Sequence, residues 1–215
     1  MDSVIDMSSA RALVGDAALW PLAKAFLWDF ATQIDRTWLE GMPRVEELMS
    51  SSRVKRHVLD ELGVEPVLCL FPKGDWSRLA LLDGRKLLSI AKWLGAIKCA
   101  DSLRSVTNGA QVRALKAALP GVYPEVFSFT AYFRGLGCGA TGVSADDIVA
   151  TGLGLLFSCL ADVDGKILKR VVLKLPKPLS DRCVPGVDGK DRPAALQALR
   201  QLLKLKFPEA YKLCC

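Results

Sequence analysis

Apolar residues recur every three or four positions along much of the chain, a spacing that is typical of amphipathic helices. The first stripe follows Pro21 and consists of Ala23, Leu27, Phe30, Ile34 and Trp38, with Leu22 and Phe26 widening it. Proline is favoured in the first turn of a helix and glycine just after its end. The pattern therefore predicts one helix from Pro21 to Gly41.

Further helices are predicted where a capping residue or a helix breaker precedes an apolar stripe. Serine, aspartate and asparagine mark such starts because their side chains accept hydrogen bonds from the backbone N–H groups of the first turn. The predicted helices follow Ser50–Ser52 (Val54, Val58, Leu59, Leu62), Asp83 (Leu87, Ile90, Ala91, Leu94, Ile97), Thr107–Gly109 (Val112, Leu115, Leu119), Ser144 (to Leu160) and Pro193 (Leu196, Leu199, Leu203, Phe207).

Other stretches leave the local structure open. Val67–Phe71, between two prolines, suits an edge strand or an extended connector, and residues 124–133 fit either period. Ile167, Leu168, Val171, Val172 and Leu175 follow a helical spacing, although their β-branched content also allows a strand. Residues 176–193, rich in glycine, proline and aspartate, are predicted to form a long loop. We expect one all-α domain over 1–215, with about six to nine helices and at most one or two short strands.

Composition narrows the class of protein. The chain has 215 residues, of which 51% are hydrophobic and 24% charged, which excludes intrinsic disorder. The longest weakly polar run, 148–161, is shorter than the roughly 20 apolar residues of a membrane span. The acidic start, Met1–Asp6, lacks the layout of a signal peptide. We expect a soluble cytoplasmic protein with apolar surface that a partner covers.

Little in the sequence predicts catalysis or metal binding. There are seven cysteines in no framework spacing, no C-x-x-C motif and one histidine, His57, which lies among basic residues. We predict no catalytic, metal or cofactor residue. The terminal pair Cys214–Cys215 is interpreted as a frayed, inert end, with lipidation or oxidation as the alternatives.

One glycine-rich segment matches the spacing of a nucleotide-binding loop. Gly137–Gly142 reads G-x-G-x-x-G, in which glycines let the backbone approach a pyrophosphate. The predicted helix after it carries Asp146 and Asp147 in its first turn, where negative charge opposes a phosphate. A helix–helix loop is favoured, and a nucleotide-binding enzyme is the alternative.

Charge is distributed unevenly along the chain. Residues 1–50 contain four basic and eight acidic residues, whereas 166–215 contain twelve and four. Lys166, Lys169, Arg170 and Lys174 share one predicted helical face, and Arg200, Lys204 and Lys206 lie near another. Without a recognisable helix-turn-helix or stacking pattern, we favour a solvated face or an acidic protein partner. A nucleic-acid-binding protein is the alternative.

Trp28 does not belong to the apolar stripe of the first predicted helix. It shares a face with Lys24 and Asp35, away from the predicted core. Either a second helix covers it, or it is an exposed aromatic anchor for a partner.

Three stretches resemble a known family. Residues 78–96 (RLALLDGRKLLSIAKWLGA), 112–119 (VRALKAAL) and 202–214 (LLKLKFPEAYKLC) resemble the SctK (YscK-type) accessory proteins of bacterial type III secretion systems. The aromatic helix predicted over Phe26–Trp38 and the overall length fit the same family. The likeness covers nearly the whole chain, whereas the glycine loop at 135–142 and the high cysteine count do not match that family.

The resemblance implies a non-enzymatic cytoplasmic adaptor of the sorting platform, at the cytoplasmic face of the bacterial inner membrane. Its partners would be the cytoplasmic domain of an inner-membrane ring protein and the pod protein that carries the export ATPase. No nucleic acid or small-molecule substrate is implied, and contact with the membrane is through protein partners. We expect Trp28 and Asp35 to anchor one partner. The basic set expected to dock the other is Lys169, Arg170, Lys174, Arg200 and Lys204.

Overall fold

The fold is all-α, as predicted. The computed structural model describes residues 19–42, 45, 49–67, 71–72, 75–130, 133, 144–182 and 192–214, and these residues contain helices but no β-strand. Nine of the α-helices in these ranges have seven or more residues. The α-helices are α1 Trp20–Leu27, α2 Ser52–Glu61, α3 Gly84–Lys98, α4 Ala100–Arg104, α5 Gly109–Ala118, α6 Val122–Phe129, α7 Ala145–Cys159, α8 Gly165–Leu173, α9 Lys177–Arg182, α10 Arg192–Lys206 and α11 Pro208–Cys214.

Three 3-10 helices, Phe30–Gln33, Arg36–Trp38 and Trp76–Leu81, lie between these α-helices. Side-chain caps open several elements as the sequence predicts. The Asp83 carboxylate accepts a hydrogen bond from the Lys86 N–H, and Ser144 accepts one from Asp147 at the start of α7. Such caps satisfy N–H groups that have no partner inside the helix.

The centre of the molecule is the packing of α3 against α7. All five predicted stripe residues of α3, from Leu87 to Ile97, are buried. The two helices approach so closely at Gly95 and Gly152 that a Cβ on either would lie 1.8 Å from a backbone oxygen of the other helix. Helix α6 packs on α3, and α10 packs on both α3 and α7.

The first predicted helix is shorter than expected. Helix α1 ends at Leu27, and the two 3-10 helices replace the continuous helix predicted up to Gly41. The backbone is extended at Ile34 and Asp35, where the Asp35 N–H donates to the Leu173 carbonyl at 2.9 Å. This contact with the end of α8 competes with the helical hydrogen bonds. The stripe still packs inward, because Ala23, Phe26, Phe30 and Ile34 are all buried.

The chain after residue 165 is more helical than the sequence predicted. The stretch around 171–175 belongs to α8 up to Leu173, so the helical alternative is correct there. Lys177–Arg182 is a helix within the segment predicted as a long loop, and 183–191 lie outside the described residues. Residues 68–70 of the possible edge strand also lie outside them.

The carboxyl-terminal end is packed, which corrects the prediction of a frayed tail for Cys214. Leu213 and Cys214 are buried, and the Leu213 carbonyl accepts a hydrogen bond from the buried Arg78 guanidinium at 3.1 Å. Cys215 lies outside the described residues. The end of α11 is thereby tied to the 3-10 helix Trp76–Leu81, with which it also packs.

Candidate partner-binding surfaces

Arg170 is part of the core and does not belong to an exposed basic face. Its side chain is 3% exposed, and its guanidinium donates to the carbonyls of Phe26, Leu27 and Glu65. The guanidinium carbon also lies 5.3 Å and 4.9 Å from the ring centroids of Phe26 and Phe30. Carbonyl oxygens and aromatic faces replace the water that a buried cation loses.

Lys174, one turn further along, is buried in the same way. Its Nζ donates to the carbonyls of Ala80 and Leu82 at 2.7 and 2.9 Å, and lies 4.8 Å from the Phe26 ring centroid. Burial lowers the pKa of Lys174 from 10.5 to about 7, an effect that Asp83 opposes and Arg170 reinforces. The apolar surroundings disfavour the charged form of the amine, so near neutral pH the amine is only partly protonated.

The predicted basic docking set is therefore wrong for Arg170 and Lys174, whose side chains face the core. Lys169 is exposed, although its Nζ donates to the Gly63 carbonyl at 2.6 Å. Arg200 and Lys204 are exposed on α10. Because Arg170 and Lys174 are buried, they do not contribute to an exposed basic face. This weakens the nucleic-acid alternative, which depends on a continuous face of that kind.

Trp28 follows the end of α1 and is 39% exposed. Its ring packs against Trp20, with the ring centroids 5.7 Å apart and the planes tilted by 58°. The neighbouring turn is partly stabilised by the pair of Asp29 and Lys55, whose charged atoms lie 3.6 Å apart. A large part of an indole thus faces solvent, as the aromatic-anchor interpretation requires.

Asp35 has a structural role that the sequence did not indicate. Its Oδ1 accepts hydrogen bonds from the Thr37 N–H at 3.0 Å and from the Thr37 hydroxyl at 2.6 Å, which caps the second 3-10 helix. Trp38 secures the same turn by donating from Nε1 to the Leu175 carbonyl at 2.8 Å. Asp35 positions the chain around Trp38, and its proposed contact with a partner has no further support in this geometry.

An apolar groove lies between α1, the start of α3 and α11, and sequence reasoning did not find it. Its volume is about 510 Å³. The lining residues are Leu19, Leu22, Leu82, Lys86, Lys206, Phe207, Pro208, Glu209, Ala210, Lys212 and Leu213. Leu22, which the sequence assigned to the buried stripe of the first helix, is 41% exposed on its wall. Leu22 is the one sequence signal for the groove, because it belongs to the predicted apolar stripe and yet lies outside the core. Only the folded structure shows that it is exposed.

Among the described residues, the chemically reactive side chains are dispersed or buried. Cys99 and Cys159 are buried, and burial raises the pKa of the Cys159 thiol to about 12. His57 is exposed on α2. In the described ranges, no group of three or more histidine, cysteine, aspartate or glutamate side chains is arranged to hold a metal ion. The Gly137–Gly142 segment lies outside the described residues.

Comparison with known proteins gives no relative for this chain. No family model, no curated protein and no solved structure matches it. Within the described part of the chain, no helix combines the length and the apolar character that crossing a membrane requires.

Proposed function

We propose that the chain is a helical adaptor of the type III secretion sorting platform. In this proposal it links the cytoplasmic domain of an inner-membrane ring protein to the pod protein that carries the export ATPase. It acts at the cytoplasmic face of the bacterial inner membrane and performs no catalysis. The proposal starts from the resemblance of residues 78–96, 112–119 and 202–214 to the SctK family.

The packing of those three stretches supports the proposal most. Arg78, in the first stretch, donates to the carbonyl of Leu213, in the third, across 135 positions of sequence. The third stretch includes the end of α10, which packs on α3, and α11, which packs on the 3-10 helix Trp76–Leu81. The second stretch, in α5, packs on α6, which in turn contacts α3. Stretches that resemble one family thus form one connected part of the fold.

The exposed side chains suggest where partners bind. Trp28 is a large amphipathic ring on the surface, and tryptophan is enriched among residues that dominate binding energy. Arg200 and Lys204 lie one turn apart on the exposed side of α10. Exposed cations of this kind steer an acidic partner and fix its orientation more than they add affinity.

Co-purification with the two partners tests the proposal. The chain is mixed with a purified inner-ring cytoplasmic domain or with a purified pod protein, and complexes are measured by size-exclusion chromatography and calorimetry. We expect Trp28→Ala to weaken binding to one partner by about tenfold or more, because it removes a large side chain that the bound partner would bury. We expect the double variant Arg200→Glu, Lys204→Glu to weaken binding to the other partner, mainly at low salt.

Lys24→Ala serves as the matched control for Trp28→Ala, because Lys24 is an exposed residue of the neighbouring α1. It should leave both affinities within about twofold, as rim residues contribute little. Full affinity of both interface variants would remove the two proposed surfaces. Absence of any complex with either partner would remove the adaptor proposal itself.

A further inference from the structure

We draw no further inference here: the strongest candidate, the apolar groove between α1, the start of α3 and α11, carries nothing because its lysines Lys86, Lys206 and Lys212 are each already paired with a carboxylate and nothing in the structure shows what covers it.

Discussion

At the scale of single residues, two buried basic residues connect distant parts of the chain: Arg170 on α8 and Lys174, directly after its end. Arg170 reaches the carbonyls of Phe26 and Glu65, and Lys174 reaches those of Ala80 and Leu82. Removing a charge from water costs several kcal/mol, and the carbonyl and ring contacts offset that cost only in part at Lys174, where burial still lowers the pKa to about 7. These residues hold α1 and the 3-10 helix Trp76–Leu81 against α8.

The lowered pKa of Lys174 makes the stability of the fold depend on pH. In the unfolded chain the amine has its ordinary pKa of 10.5, whereas in the folded protein its pKa is about 7. Between these values the unfolded state binds more protons, so this residue makes folding more favourable as the pH rises from about 7 to 10.5. The contribution is lost as the pH falls through 7.

We expect Lys174→Met to remove this part of the pH dependence. Urea unfolding at about pH 7 and about pH 9.5 gives the free energy of unfolding for the wild type and the variant. Lys204→Met, at an exposed lysine of α10, should keep the wild-type dependence. The same dependence in Lys174→Met and the wild type would show that Lys174 retains an ordinary pKa when folded.

The burial of these cations was not predictable from local sequence. Arg170 and Lys174 lie four residues apart, and this spacing is equally typical of two basic residues on the exposed face of an amphipathic helix. Their acceptors come from residues more than 90 positions away. A helical stripe identifies which side chains share a face, and it does not identify which other segments cover that face.

At the scale of helices, the crossing of α3 and α7 depends on two glycines. A Cβ on Gly95 would lie 1.8 Å from the Ile148 oxygen, and one on Gly152 would lie 1.8 Å from the Ala91 oxygen. Both obstacles are backbone atoms, so a local side-chain adjustment cannot make room. The helices would have to separate along the contact.

We therefore expect Gly95→Ala and Gly152→Ala each to lower the free energy of unfolding by about 2–3 kcal/mol, at the upper end of the cost of overpacking, because backbone atoms are in the way. Gly165→Ala, at the start of α8, is the control, because its Cβ would meet no atom within 4 Å. It should change stability by less than about 1 kcal/mol. Urea unfolding measures all three, and equal stability of Gly95→Ala and Gly165→Ala would contradict the close crossing.

Helix positions were largely predictable from sequence, because caps and apolar spacing act within one or two turns. Asp83 and Ser144 open the helices that they were predicted to open. The break after Leu27 was not predictable, since the apolar spacing continues through it. The interruption at Asp35 involves a hydrogen bond to Leu173, far away in sequence.

At the scale of the whole molecule, the buried apolar residues form one cluster, and the candidate surfaces lie around it. Trp28 lies beyond the end of α1, and Arg200 and Lys204 lie on α10. The groove is formed where α1, the start of α3 and α11 meet. Sequence alone predicted Trp28 and the α10 cations as candidates, because exposed positions follow from helical spacing. The groove was not predictable in this way, because it depends on which elements meet in the fold. Local sequence patterns do not contain that information.

Bridging of the two partners is the measurement that tests the central claim most directly. A labelled inner-ring cytoplasmic domain is sedimented with a purified pod protein, with and without the chain. The adaptor account predicts that the ring domain and the pod protein co-sediment only when the chain is present, in a complex that contains all three. If the chain binds neither protein, or if the two partners associate equally well without it, the account is contradicted.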